Sequence, residues 1–208
     1  MKQYLQAPLI AILRGLEPEN ALNVAQILYD AGFRILEIPL NSPEPLISIE
    51  KIRKTFDGKI IIGAGTVLNT NAVNNVADAG GQIILSPNCN SQVIQETKKR
   101  NMFSFPGVFS PSEAFTAIEN GADGLKFFPC ELLQPNIIKA YKAVLPKDIA
   151  TIAVGGINND NMKDFLKVGI SGFGLGSSLF RPQMSMEDIR KNANKVINVW
   201  SSIKKIKT

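Results

Sequence analysis

A single (β/α)8 barrel is the fold class this sequence predicts, and three observations carry it. Short apolar, β-branched runs alternate with amphipathic helical segments eight times along the chain, the pattern of parallel βα units. Most of the helical segments stop at a glycine or at an Asn/Asp–Gly pair, the residues that end helices most readily. The chain of 208 residues suits one domain and sits at the short end of this barrel's range. Eight like units without a reversal in their order favour closure over a doubly wound open sheet.

The elements follow in order. The first strand is expected at Leu9–Leu13, before a helix over Glu19–Ala31 that carries Leu22, Ala25, Ile27 and Leu28 and stops at Gly32. The second strand, Ile35–Pro39, precedes a helix over Pro45–Phe56 with Leu46, Ile49 and Ile52 on its apolar face, stopped by Asp57-Gly58. The third unit joins Ile60–Ala64 to Asn71–Ala79 and ends at Gly80-Gly81. The fourth joins Gln82–Ser86 to Ser91–Arg100 and closes on Asn101, and the fifth joins Met102–Phe105 to Ser112–Glu119 and closes on Asn120-Gly121. The sixth strand, Gly124–Phe128, leads to Asn136–Val144, which ends before Pro146. Thr151–Val154 with Asn161–Val168, and Gly172–Leu175 with Met186–Ile203, complete the set. Within residues 1–8, Tyr4-Leu5 are suited to cap the barrel bottom, and residues 204–208 read as a solvated tail. No change of composition divides the chain, so residues 1–208 read as one domain.

Composition narrows the function. Hydrophobic residues make up 45% and charged residues 20%, as in ordinary soluble domains. No apolar stretch approaches the ~18 residues a membrane span needs, and Met1–Pro8 lacks the apolar core of a signal peptide. A cytoplasmic protein without a membrane partner is therefore expected. The net charge of +5 is spread along the chain rather than clustered, which argues against nucleic acid and is compatible with a small anionic substrate. Cys89 and Cys130 show no CxxC spacing and suggest reduced thiols. Cys130 reads as a small buried residue rather than a reactive one. The chain has no histidine. That removes the commonest general base, every Ser-His or Cys-His pairing and the usual zinc or iron ligand sets. No metal and no cofactor are expected.

In a barrel of this kind, functional side chains project from the C-terminal ends of the strands and from the loops after them. Reading those ends gives Arg14, Glu37, Thr66, Pro87, Lys126, Gly155-Gly156 and Gly176-Ser177. Lys126 lies in the apolar run Gly124-Leu125-Lys126-Phe127-Phe128-Pro129. Burial disfavours its charged form, and a neutral amine is a nucleophile toward carbonyls. Glu37 is the one carboxylate in Ile35-Leu36-Glu37-Ile38-Pro39. Interior layers of a barrel are filled from alternate strands, so the second and sixth can place Glu37 and Lys126 opposite each other, as proton shuttle and nucleophile or as a structural ion pair. The turns at Gly155-Gly156 and Gly176-Ser177 follow the seventh and eighth strands, where barrels build phosphate sites; glycines there let backbone N–H groups approach phosphate oxygens. Thr66, after Gly63-Ala64-Gly65, can donate to a substrate carboxylate or cap the following helix. Arg14 offers a planar fork to a carboxylate or phosphate, or a structural partner to Glu37.

Together these residues resemble the KDPG/KHG aldolase family, class I aldolases of 2-keto-3-deoxy-6-phospho sugar acids. The resemblance rests on Ile10–Gly15, Glu37 in its strand, Gly63–Val67, Ser86-Pro87, Phe105–Gly107, Leu125–Pro129, Val154–Ile157 and Gly174–Ser177, in the family's order along nearly the whole chain. It is nearest to the galactonate branch. Ile38-Pro39-Leu40-Asn41-Ser42-Pro43 stands where the gluconate branch has an Arg-Thr pair, and Val154 stands where that branch has threonine. The resemblance implies imine chemistry on Lys126, proton shuttling by Glu37, substrate binding by Arg14, Thr66 and Pro87, and phosphate binding by Gly155, Gly156, Gly176 and Ser177. It implies that Val154 and Asn41 set specificity. It further implies a phosphorylated keto-deoxy sugar acid as substrate, pyruvate and D-glyceraldehyde 3-phosphate as products, and a homotrimer. The alternatives are gluconate-type or mixed specificity, a phosphosugar isomerase or epimerase, and a non-catalytic phosphosugar-binding barrel.

Overall fold

The computed structural model describes residues 8–205. The cap expected from Tyr4-Leu5 and the end of the tail from Ile206 lie outside the described residues. Nine strands and eight helices are present among those described. They run β1 (Leu9–Ile12), α1 (Ala21–Ala31), β2 (Ile35–Pro39), α2 (Pro45–Thr55), β3 (Ile61–Gly65), α3 (Thr70–Asp78), β4 (Ile83–Leu85) and α4 (Ser91–Lys99). They continue as β5 (Phe103–Phe105), β6 (Gly107–Val108), α5 (Pro111–Glu119), β7 (Gly124–Phe127), α6 (Pro135–Lys142), β8 (Ala150–Val154), α7 (Met162–Lys167), β9 (Gly172–Leu175) and α8 (Met186–Lys205). The last helix takes in Lys204 and Lys205, so the expected solvated tail starts later than the sequence suggested.

All pairings are parallel, in the order β5-β4-β3-β2-β1-β9-β8-β7-β6. The ring closes through the chain itself. β5 lies within the expected fifth strand, Met102–Phe105, and β6 is a further short strand that the sequence reading did not include, beyond Pro106, which has no N–H to give to a ladder. β5 pairs with β4, β6 pairs with β7, and the Pro106 carbonyl accepts from Lys126 N at 2.9 Å. The Ser104 carbonyl accepts from Asp123 N at 3.0 Å, which completes the seam. The protein is a (β/α)8 barrel.

Side chains alternate across each strand, and the alternation divides the apolar residues into two cores. Ile10, Ile12, Ile35, Ile61, Ile83, Leu85, Phe105, Ile152 and Val154 fill the barrel interior. A larger cluster, including Leu13, Leu36, Ile38, Leu125, Phe127 and Phe173, packs the outer faces of the strands against the helices. Phe173 meets Trp200 of α8 edge to face at 5.7 Å between ring centroids. The interior is too narrow for a large side chain at every inward position. A Cβ on Gly124 would lie 2.3 Å from the Phe105 ring, and one on Gly63 would lie 1.8 Å from the Ile83 carbonyl oxygen. Glycine at these places lets neighbouring large residues fill the shared space.

Helix ends follow their sequence signals. Gly32 ends α1 in the left-handed region at φ 119°, and Ser110 with Glu113 forms a complete capping box on α5. The N-cap of α3 is Asn69, whose Oδ1 accepts from Ala72 N at 2.9 Å. Thr66 therefore does not cap that helix, the structural alternative entertained for it from sequence.

Candidate active site

Lys126 and Glu37 are the only charged residues within the nine described strands. Both face the barrel interior. Gly124 abuts the inward ring of Phe105, and Lys126, two residues on, points to the same side. Ile35 belongs to the interior core, and Glu37, two residues on, shares its face. In register, Glu37 pairs with Ile12 and Gly63, and Lys126 with Gly107 and Ile152. The two side chains are almost completely enclosed, Glu37 at 2% exposure and Lys126 at 6%.

The neighbours of each explain how a charge is tolerated there. Gly65 leaves the space the carboxylate occupies, since a Cβ on Gly65 would fall 1.4 Å from Glu37 Oε1. Glu37 Oε2 accepts no hydrogen bond from the protein. Lys126 Nζ lies over the Phe128 ring, 4.7 Å from its centroid. Among the described residues neither group is in a direct ion pair. Burial consequently governs both titrations. Loss of hydration raises the Glu37 carboxyl from 4.5 to about 7, against the opposing pull of Lys126 and Arg14. Loss of hydration also holds the Lys126 amine below the usual lysine range, with Glu37 opposing and Arg14 assisting. Each group favours the other's charged form, and desolvation outweighs that attraction in both. A lysine whose charged form is disfavoured by burial, near a carboxyl titrating at about 7, is suited to nucleophilic and proton-transfer chemistry.

Above them opens a cavity of about 290 Å³. Its walls include Ile12, Arg14, Phe128, Val154, Gly155, Gly156, Gly176 and Ser177. Lys126 adjoins this space through Phe128, and Glu37 through its register partner Ile12. Exposed Arg14 is held from the neighbouring loop: its Nη1 donates to Asn41 Oδ1 at 2.9 Å, and Gly15 N donates to Ser42 Oγ at 2.9 Å. Asn41 thus touches Arg14 and is not itself among the cavity's walls. Val154, the last residue of its strand, is buried and presents methyl groups to the cavity. Gly155 and Gly156 turn the chain at φ 96° and 66°, conformations that disfavour any residue with a Cβ. No turn or loop hydrogen bond among the described residues is donated by the N–H groups of Gly155, Gly156, Gly176 or Ser177. The Gly176 carbonyl accepts from Leu179 N and Phe180 N, both at 2.9 Å, so the chain starts a helical turn there. Thr66 stands beyond the end of β3 at φ 57°, half-buried, and Pro87 follows β4 after buried Ser86, whose Oγ donates to the Val67 carbonyl at 2.8 Å. Neither Thr66 nor Pro87 is among the walls of the cavity.

Phe128, Glu131, Phe180 and Arg181 are among the wall residues not expected in the site from sequence. Phe128 was legible as the inward residue two beyond Lys126. Phe180, Arg181 and Glu131 were not, because they come from loops whose paths depend on the assembled barrel. Arg181 Nε donates to the Ser177 carbonyl at 2.9 Å, which places a second guanidinium at the rim. Cys130 is buried, and burial pushes its thiol up to about 12, in keeping with a packing role.

The family model for KDPG and KHG aldolases matches residues 1–197. The chain belongs to the KDPG and KHG aldolase family. It is 47% identical over 199 residues to a probable 2-dehydro-3-deoxy-6-phosphogalactonate aldolase of Rhizobium meliloti (strain 1021), covering 96% of this chain and 94% of the relative. A solved structure described as native KDPGal superposes with a TM-score of 0.93 at 43% identity, covering 95% of this chain and 96% of that one. A KDPG aldolase from Legionella pneumophila, solved with pyruvate captured as a covalent carbinolamine intermediate, superposes at 0.81 with 27% identity over 96% of this chain and 95% of that one. The chain is an aldolase, an aldehyde lyase. Among the described residues no helix is long and apolar enough to cross a membrane, and no group of His, Cys, Asp and Glu could hold a metal ion.

Proposed function

We propose that this aldolase cleaves 2-dehydro-3-deoxy-6-phospho-D-galactonate to pyruvate and D-glyceraldehyde 3-phosphate through a Schiff base on Lys126. The observation that carries the reading is the enclosed Lys126–Glu37 pair, with both groups moved toward neutrality by burial. Neutral Lys126 adds through Nζ to the C2 ketone, and loss of water from the carbinolamine leaves an iminium. Glu37 takes the proton of the C4 hydroxyl. The C3–C4 bond breaks, its electron pair passes to the iminium nitrogen as an enamine, and glyceraldehyde 3-phosphate departs. The protonated Glu37 then returns a proton to C3, and water releases pyruvate and regenerates the amine.

Substrate placement is read from the cavity together with the strand ends beside it. Arg14, steadied by Asn41, and Thr66 with Pro87 receive the carboxylate end and the body of the substrate. Gly155, Gly156, Gly176 and Ser177 present free N–H groups to the phosphate, where backbone donors bind an anion without a counter-charge to desolvate. The apolar wall at Val154 supports preference for the galactonate-derived epimer, because it offers no hydroxyl to the C4 group of the gluconate-derived one. Exposed Phe109, Phe115, Leu132, Ile137 and Val144 lie between β6 and the loop after α6, an apolar stretch suited to burial in a homotrimer. The enzyme acts in the cytoplasm, without metal or cofactor.

Borohydride trapping with pyruvate tests the chemistry, and kcat/KM for the two C4 epimers tests the substrate. The reading expects a pyruvyl-derived mass on Lys126 and a preference for the galactonate-derived acid. Label on any other residue would refute the Schiff-base assignment, and preference for the gluconate-derived epimer would refute the substrate assignment while leaving the aldolase chemistry intact.

A further inference from the structure

Glu131 is the one acidic residue in the wall of the active-site cavity, among Arg14, Arg181 and the glycine turns. Its carboxylate lies directly against the turn to which phosphate binding was assigned above. A Cβ on Gly155 would be 2.3 Å from Glu131 Oε2, and one on Gly156 would be 2.8 Å from Glu131 Cγ and 3.4 Å from Oε1. The side chain nonetheless receives no hydrogen bond from that turn, and it forms no ion pair among the described residues. The residue is exposed, so nothing in the packing obliges the carboxylate to rest there.

We propose that Glu131 is an internal stand-in for the substrate's phosphate: its carboxylate occupies the approach to the Gly155-Gly156 turn in the free enzyme and must withdraw when phosphate enters. The proposal rests on the assignment of phosphate to that turn. A phosphate monoester carries close to two negative charges at neutral pH, and two anions cannot share a site a few ångströms across without strong repulsion. The charge of Glu131 therefore weakens binding of the phosphorylated substrate and product and speeds their departure. It also discourages the turn from holding inorganic phosphate in place of substrate.

Glu131→Gln keeps the shape and removes the charge. The KM for the phosphorylated substrate should fall roughly three- to tenfold, the scale of one partly screened charge pair, and inhibition by inorganic phosphate should tighten by a similar factor. The difference between variant and wild type should shrink as salt rises, a response that a merely structural role would not give. Glu131→Asp, which retains the charge on a shorter arm, should fall between the two. An unchanged or raised KM in Glu131→Gln overturns the proposal, as does a parallel fall in the KM for pyruvate in C3–H exchange, since pyruvate carries no phosphate. The underlying site assignment is tested separately in the wild type. If inorganic phosphate does not compete with substrate there, that assignment fails. If it competes but Glu131→Gln responds to it as wild type does, only the stand-in role fails.

Discussion

Gly65→Ala probes whether the position of the Glu37 carboxylate matters. The residue is in ordinary extended backbone, so a methyl group adds no backbone strain; it adds only volume. That methyl would fall 1.4 Å from Glu37 Oε1, 2.3 Å from its Cδ and 3.1 Å from Oε2. Ordinary contact needs about 3.5 Å, so the carboxylate must retreat by about 2 Å. Displacements of ~1 Å can cost about 10²-fold in rate when a reacting group is involved, and cleavage and pyruvate C3–H exchange should each fall at least that far. Overpacking should cost about 1–3 kcal/mol of stability, read as a lowered Tm in a protein that still folds. The control is the double variant. If Gly65→Ala acts by moving Glu37, then adding it to Glu37→Gln should slow turnover little further, because the shared target is already gone. Turnover within about threefold of wild type in folded Gly65→Ala would sink the argument that Glu37 must stand where the glycine lets it.

Further outcomes follow from the same geometry. Glu37→Gln should slow cleavage by roughly 10²–10⁴-fold while borohydride still traps pyruvate on Lys126; wild-type turnover would reduce Glu37 to a structural partner. That variant should also be the more stable protein at pH 8. The folded carboxyl titrates at about 7 against an ordinary 4.5, so the native state holds the proton more tightly, and stability present at pH 4.5 is lost as pH rises through 7. At about 1.4 kcal/mol per pH unit, the loss is about 3 kcal/mol at most; thermal melts of both proteins from pH 5 to 8 should diverge, and parallel curves would count against the raised titration. The rate of cleavage in the wild type should rise with pH through about 7 as Glu37 ionises, whereas a flat profile over pH 5–8 would remove it as the base. Val154→Thr should narrow or reverse the preference between C4 epimers by about tenfold, the scale of one buried hydroxyl contact; unaltered epimer ratios would place the discrimination elsewhere.

Much of this architecture was legible in the chain because it is written in local periodicities. Alternation of apolar strands with glycine-stopped helices needs no long-range information, and the family resemblance drew on the same strand ends. Lys126 and Glu37 stood out for a related reason: a charge inside an apolar strand is expensive, so its presence signals use. The period of two then placed both inside the barrel. The further strand beyond Pro106 was less legible, although Pro106 is visible in the sequence, because only the pairing partners reveal that β5 serves β4 and β6 serves β7.

Other features had no sequence signal. Asn41 read as a specificity residue, and it is the fold that sets its oxygen 2.9 Å from Arg14 across 27 residues. Glu131 and Arg181 are exposed, unpatterned loop residues, and closure of the barrel brings them to one rim. The titration of the central pair was also decided there. A lysine and a glutamate 89 positions apart carry ordinary pKa values in an open chain. Enclosure strips water from both while keeping them out of direct contact, so desolvation prevails over attraction. The sequence by itself determined which residues lie inside, since hydrophobic periodicity is a local property. The distances and the dielectric surroundings that shift the titration of Lys126 and Glu37 arise only when the ring of strands closes.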